Sequence, residues 1–537
     1  MQCLWHRRDL RLADNRGVAA ATDAGETCGI FVFDPGILAH AGRPRIGYLL
    51  DALEALRSAY RERGSDLLLA AGDPRERVPE IASELSADRV VWCRDYTGLS
   101  SARDRAVDLE LDERGIGGRS VHDAVRFPPG SITTTDGEPY QVFTYYGRKW
   151  HEREAEPPAD TPTAGDLLDA SAVAETVDRL AELTEKTTAA RDATEGSSTT
   201  EHSAERSSTN EDSTAESSTT ERSMDESPET TTRPHTKALD PWPRTVPSVA
   251  DLGVDPPEAD VPDAGTGPAR ERLETFCAGP IYRYATDRDY PARGGTSRLS
   301  ADLSFGTIGI REVYDATDAA AADATGDDER ESVRTFQDQL AWREFYTQVL
   351  WNRPETVTEN YQSFSRPIEW RDDPEGLAAW KAGETGYPIV DAGMHQLRAE
   401  AYMHNRLRMI VASFLTKDLL IDWRAGYDWF RRRLVDHDTA NDVGGWQWAA
   451  STGTDAQPFF RVFNPMTQGE RYDPDATYIR RYVPALRDVP SDLIHRWDEL
   501  DEAERSREAP DYPAPIVDHA SRRERAIATF ERARGGG

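Results

Sequence analysis

One stretch of this chain cannot fold by itself, and it divides the rest. Between Thr187 and Thr232 there is no Val, Ile, Leu, Phe, Tyr or Trp; Ser, Thr and Glu dominate. Such a segment cannot bury enough apolar area to offset the entropy of ordering it. It reads as a disordered insertion, about 186–236, inside an interdomain connector that spans 151–268. Any core must then be built from the two flanks. A chain of 537 residues leaves room for a full domain on each side.

The flanks differ in period. Within 1–150, Leu4-Trp5, Gly29 to Phe33, Asp66 to Leu69 and Arg89 to Cys93 are short apolar runs that read as buried strands. Between them, Ile46 to Tyr60 and Val78 to Leu85 carry apolar residues at helical spacing. Strand–helix alternation predicts an α/β domain with a Rossmann-like parallel sheet covered on both faces. Asp34-Pro35-Gly36 and Ala71-Gly72-Asp73-Pro74 follow strands, where such sheets bind ligands. Neither G-x-G-x-x-G nor G-x-x-x-x-G-K-[ST] occurs, which argues against a nucleoside triphosphate or a dinucleotide bound in the usual way. From 269 to 486 the period is helical, notably over Glu331–Leu350, Ala392–Leu420 and Tyr427–Leu434. An all-α domain with an aromatic-rich interior is predicted there. Residues 487–537 read as a polar, partly packed extension.

Composition bounds the setting. Net charge is −32, and only five of the 64 basic residues are lysine (Lys149, Lys186, Lys237, Lys381, Lys417). Dense surface carboxylate keeps a protein dispersed in high salt, so a halophilic cytoplasm is expected. Four scattered cysteines without a C-x-x-C pair argue against disulfides, zinc or another metal site. No signal region and no apolar run of membrane-spanning length occur, so a cytosolic protein without membrane contact is expected.

Four runs carry chemistry. Asp436-His437-Asp438-Thr439-Ala440-Asn441-Asp442-Val443-Gly444-Gly445-Trp446-Gln447-Trp448 places acids beside flat aromatics, which suits a ring that is both hydrogen-bonded and stacked. In Tyr402 to Met409, Asn405 and Met409 share a helix face, as do His404 and Arg408; Arg408 can pair with an acid such as Asp436. A buried structural ion pair reads equally well. Gln339, Trp342 and Arg343 offer an amide, a stacking surface and a cation within a turn, a set that suits an unstacked base, although a core tryptophan is commoner. Gly295-Thr296-Ser297-Arg298-Leu299-Ser300 precedes a helix start and can hold a pyrophosphate, with Tyr284, Arg288 and Arg293 upstream; an ordinary helix cap reads at least as well.

Together these runs resemble the photolyase/cryptochrome flavoproteins, and most the class I cyclobutane pyrimidine dimer photolyases. Trp5-His6-Arg7-Arg8-Asp9-Leu10-Arg11-Leu12-Ala13-Asp14-Asn15, Thr385-Gly386-Tyr387-Pro388-Ile389-Val390-Asp391-Ala392-Gly393-Met394, Gly444 to Gly453, Asn464-Pro465 and Gln468 to Tyr472 carry the likeness. It covers nearly the whole chain outside 151–265.

The resemblance implies that the helical domain binds FAD. Tyr284, Arg288 and Thr296, Ser297, Arg298, Leu299 and Ser300 would hold its phosphates and ribityl chain. Arg343, Asn405, Arg408, Asp436, His437 and Asp438 would surround the flavin ring, with Asp442 facing its N5. Trp446, Trp423 and Trp370 would relay electrons from the surface. Gln339, Trp342, Arg343, Asn405, Met409 and Trp448 would receive the flipped dimer in UV-damaged DNA. The implied reaction is light-driven electron transfer from reduced FAD that splits the cyclobutane ring, by a monomer. A second antenna chromophore is implied near Asp95, a deazaflavin first, with a folate as the alternative.

Two residues depart from the dimer-repair pattern. Gln339 replaces a Glu and resembles (6-4) photolyases; Asp442 replaces an Asn and resembles plant cryptochromes, which leaves blue-light signalling as the alternative. Asn405 and Met409, by contrast, match dimer photolyases. Because a −32 chain repels DNA, binding must rest on local arginines and on base stacking. Arg343, Arg406, Arg461 and Arg471 are the candidates.

Overall fold

The computed structural model describes residues 1–196 and 239–535, with 187–196 by backbone alone. Most of the insertion expected at about 186–236 therefore lies outside the described residues. Strands β1 (Gln2–His6), β2 (Thr27–Phe33), β3 (Leu68–Ala71), β4 (Arg89–Cys93) and β5 (Gly117–Val121) form one sheet in the order β3-β2-β1-β4-β5. Every pair is parallel. The alternation of side chains does the packing. Leu4, Phe31, Phe33, Leu69 and Val91 join one core with Tyr48 and Leu53 of helix Arg43–Arg61. Cys3, Trp5, Ile30, Val32, Val90 and Trp92 join the opposite core with Val78, Ile81, Val107 and Leu111.

β5 is absent from the expected strands. It is an edge strand, largely exposed, held by backbone pairing to β4 rather than by an apolar run. The order reverses at β1, so the crevice between the carboxyl ends of β1 and β4 is the switch point of the sheet. Arg7, Arg8, Arg94 and Asp95 stand there.

The described parts of 151–268 do more than connect. Leu168, Val173, Val177, Leu180 and Trp242 are buried in one sheet core, and Leu167, Leu252 and Val254 in the other. Val173, Val177 and Leu180 recur at i, i+4 and i+7, which a composition dominated by the neighbouring insertion conceals.

Among the described residues no strand follows Val121. Helix Asp327–Asn352 contains the expected 331–350. The expected continuous helix over 392–420 is a correction: it splits into Pro388–Glu400 and Asn405–Ser413, followed by a π-helical turn Phe414–Asp418. Ala401 turns left-handed at φ 47°. The Val435 N–H donates to the Ala401 carbonyl at 2.8 Å. A tertiary hydrogen bond thus breaks a helix whose hydropathy is unbroken.

The C-terminal extension is a second correction, since it is packed. Trp497 is fully buried, and helix His519–Ala533 inserts Ala526, Phe530 and Ala533 beside Ile368 and Leu420. Three small or apolar positions at i, i+4 and i+7 suffice inside a run that otherwise reads as charged. Among the described residues, no helix is long and apolar enough to cross a membrane.

Buried ion pairs join the two units. Arg311 bridges Asp14 at 2.7 Å and Asp123 at 2.6 Å, and Arg11 meets Asp123 at 2.8 Å. The motif Trp5–Asn15 therefore seats the helical unit on the sheet.

Candidate functional site

The site is built on helix Thr439–Ala450. Asp438 caps it, accepting from the Asn441 N–H at 3.1 Å. Gly444 lets this helix press on helix Asp327–Asn352: a Cβ there would fall 2.2 Å from the Tyr346 ring. A Cβ on Gly426 would likewise lie 2.1 Å from Trp446. Trp446 and Trp448, two positions apart, point to different sides. Trp446 is buried against Phe430 and Trp380, and Trp448 is half-buried.

The broken helix brings Arg408 to the acids. Its Nη2 donates to Asp436 Oδ2 at 2.7 Å, its Nε donates to the Met403 carbonyl at 2.8 Å, and its Nη1 lies 3.7 Å from Asp442 Oδ1. Asp442 Oδ2 meets His437 Nδ1 at 2.5 Å. Burial pushes the His437 imidazole below its ordinary value, and Asp442 pulls it back. Asp436 Oδ1 and Trp446 Nε1 are buried with no hydrogen-bond partner. The orphaned Asp436 acceptor beside the half-buried Arg408 guanidinium fits the edge of a heteroaromatic ring that offers both an N–H and a C=O group.

Asp438 faces the other unit. Its Oδ2 accepts from Arg8 Nη2 at 2.7 Å. Burial alone would push its carboxyl up, but Arg8 and Arg343 hold it well below the usual carboxylate range. Arg8 also lies 3.8 Å from Asp95, so one guanidinium links the acid expected at the antenna to an acid expected at the flavin. Sequence reasoning missed Arg8 as a site residue. Its only signal was the motif that carried the resemblance.

Arg343 is also tied inward, donating to the carbonyls of Ala124 at 2.6 Å and Leu303 at 3.1 Å. It lines a cleft with Arg8, Asp95, Tyr96, Thr347 and Asp438. Its guanidinium thus bonds across to the sheet unit, while the neighbouring Trp342 lies on Phe143. Asp95 accepts from the N–H of Tyr96 at 2.6 Å and from Ser100 Oγ at 3.1 Å. Its carboxyl is lowered because Arg8, Arg7 and Arg103 outweigh burial.

On the outer side, Trp342 is half-buried and stacked on Phe143. Gln339 is one turn away, its amide donating to the Thr335 carbonyl at 3.1 Å. Asn405 is exposed and reaches Met409 Sδ at 3.8 Å. At the expected phosphate end, Tyr284 is buried, with Arg288 over its ring at 5.5 Å. Arg298, left-handed at φ 58°, pairs with Glu400 at 2.8 Å and covers Tyr402. Gly295, Thr296, Ser297 and Leu299 form the turn into helix Ser300–Phe305, which has no side-chain cap.

Of the expected electron-relay tryptophans, Trp423 is fully buried and donates to Asn360 at 2.9 Å, while Trp370 is half-buried against Phe530. Trp380, outside the expected relay, makes a ring contact to Trp446 with centroids 6.1 Å apart. Among the arginines expected to meet DNA, Arg406 is paired with Asp289 at 2.7 Å. Arg461 and Arg471 are exposed.

His404 caps helix Asn405–Ser413 by accepting from the Arg406 N–H at 3.2 Å. Burial pushes its imidazole down to about 4 from an ordinary 6.5. The unfolded chain thus binds an extra proton between those values. The stability is complete above pH ~6.5 and falls by about 3 kcal/mol as pH drops to ~4. His404→Asn keeps the cap and is expected to flatten this acid limb in urea titrations at pH 4.5 and 7.5.

Known proteins match this arrangement. Residues 2–163 match the family model described as DNA photolyase, and residues 336–532 match the FAD binding domain of DNA photolyase. A curated relative from Halobacterium salinarum, named deoxyribodipyrimidine photo-lyase, is 54% identical with 100% of each chain covered. One of the same name from Synechococcus is 37% identical, covering 98% of this chain and 95% of its own. Among solved structures, a bacterial class III photolyase from Agrobacterium tumefaciens superposes with TM-score 0.78 at 32% identity, covering 99% of this chain and 98% of its own. A Synechocystis cryptochrome, TM-score 0.78 at 22% identity over 98% and 99% of the two chains, shares the fold. A parallel α/β sheet unit joined to a helical unit is thus the architecture of FAD-binding proteins of the DNA photolyase kind. The chain belongs to the photolyase/cryptochrome family.

Proposed function

We propose that this chain is a deoxyribodipyrimidine photolyase that splits cyclobutane pyrimidine dimers in UV-damaged DNA with FAD as cofactor. The curated relatives carry that name at up to full coverage, and the family's FAD-binding region spans Arg343, Asn405, Arg408, Asp436, His437, Asp438 and Asp442. The observation that carries the reading is the buried, unpartnered Asp436 Oδ1 beside the Arg408 fork. The imide edge of a flavin supplies the N–H that this oxygen needs and an acceptor for the guanidinium. Tyr284, Arg288 and the 296–300 turn would take the phosphate end.

When bound, the flavin supplies light absorption and electron donation. The chain does the rest. Arg408 neutralises charge at the ring, and Asp436 orients it. His437 Nδ1 holds Asp442 in place and keeps a proton within reach of Asp442 Oδ2. Trp446, Trp423 and Trp370 would carry electrons outward through the core. Trp342 and Trp448 offer stacking faces, and Gln339, Asn405 and Met409 offer contacts to bases. The Asp95 cleft is the place for an antenna, a deazaflavin in this reading.

The test is illumination of the flavin-loaded protein with an oligonucleotide containing thymine dimers. Dimers are expected to disappear under blue light and to persist in the dark. Persistence in both conditions would sink the repair reading and leave signalling. Absorption of the holoprotein shows the flavin directly, and a second band lost in Asp95→Ala would assign the antenna.

A further inference from the structure

Trp342 makes one contact that base stacking does not account for. Its indole lies on the Phe143 ring, with centroids 3.9 Å apart and planes within 11°. The other rings on it are not parallel: Phe345 meets it edge-on at 5.5 Å, and Tyr346 at a tilt at 5.5 Å. Phe143 starts helix Phe143–Glu152, which packs against helix Asp327–Asn352 in the core of the helical unit. The loop that follows Trp448 pins its backbone. Thr454 Oγ1 donates to the Gln141 carbonyl at 2.6 Å, and the Phe143 N–H donates to Asp455 Oδ2 at 3.1 Å. That loop folds back on its own helix through the Gln457 N–H, which donates to the Trp448 carbonyl at 3.2 Å. Phe143 therefore covers one of the two tryptophans assigned to the lesion and is tethered next to the other.

We infer that Phe143 is a positioning residue of the lesion site, backing one face of Trp342 so that its opposite face is held ready for an extruded base. This rests on the photolyase reading above. A half-buried indole with both faces free would lose rotamer freedom when a base stacks on it. One already stacked from behind is ordered before the base arrives, and parallel aromatic pairs add attraction beyond the area they bury.

The test compares the holoprotein's affinity for a duplex with one thymine dimer and for the same duplex undamaged. Phe143→Leu keeps the apolar volume and removes the flat ring. Its affinity for the dimer duplex is expected to fall about five- to tenfold, with affinity for undamaged duplex, flavin content and Tm unchanged. Phe143→Tyr is expected to restore it. Should Phe143→Leu not fold, Asp455→Gly suits the left-handed backbone (φ 45°) and removes the acceptor that pins Phe143, while Asp455→Asn keeps one. A loss of discrimination in the first alone supports the inference. Full discrimination in Phe143→Leu, or in Asp455→Gly where that stands in for it, overturns the inference if Trp342→Leu loses it, and leaves the repair reading standing. If Trp342→Leu also keeps it, lesion stacking by Trp342 falls and the inference with it. Equal losses for both duplexes together with a lower Tm assign Phe143 to fold support and overturn the inference too.

Discussion

Arg408→Ala is expected to destabilise the helical unit by about 3–5 kcal/mol and to empty it of flavin. The side chains of Arg408 and Asp436 are 21% and 2% exposed, and their contact is 2.7 Å. One oxygen of Asp436 already lacks a partner. Removing the guanidinium would leave both oxygens unpaired inside the protein, a buried charge with no compensation. The Met403 carbonyl would lose its donor as well. Arg408→Lys keeps the charge but not the fork, so it cannot serve Asp436 and Met403 together and should fall between the two. Urea unfolding, with flavin absorbance after gel filtration, measures both effects. A variant of unchanged stability that stays yellow would remove Arg408 from the cofactor site.

Trp448→Ala is expected to weaken binding of dimer-containing DNA about 10- to 100-fold while the flavin stays bound, since stacking on an aromatic contributes about 1–3 kcal/mol per base. Trp448 is half-buried, whereas Trp446 is 2% exposed within the core. Truncating the first removes a surface, and truncating the second opens a cavity. With a net charge of −32, little of the affinity can come from phosphate contacts. The dimer preference of the native protein should therefore persist in concentrated salt, and Arg461→Ala should change only the modest salt slope. Filter binding across salt concentrations separates the two. Unchanged affinity in Trp448→Ala would refute its stacking role.

The sheet was legible because four of its strands are apolar runs between amphipathic ones, and a parallel sheet buried on both faces demands that pattern. β5 was not legible, since an edge strand is held by backbone pairing, which leaves no side-chain signature. The packed C-terminal helix escaped because Ala526, Phe530 and Ala533 are few and partly small. The acids, Arg408 and the tryptophans stood out as dense runs of unusual composition. Arg8 and Phe143 did not, because each acts on residues hundreds of positions away.

By itself the sequence determined the kind of each flank, sheet or helix, and the membership of the central cluster, because periodicity and local composition act over a few turns. Tertiary structure alone decided how the cluster is used. It broke the helix at Ala401 so that Arg408 faces Asp436. It turned Arg343 into the domain interface, and it laid Phe143 on Trp342. These outcomes depend on hydrogen bonds and ring contacts between residues far apart in the chain, and closure of such contacts leaves no period in the sequence to read.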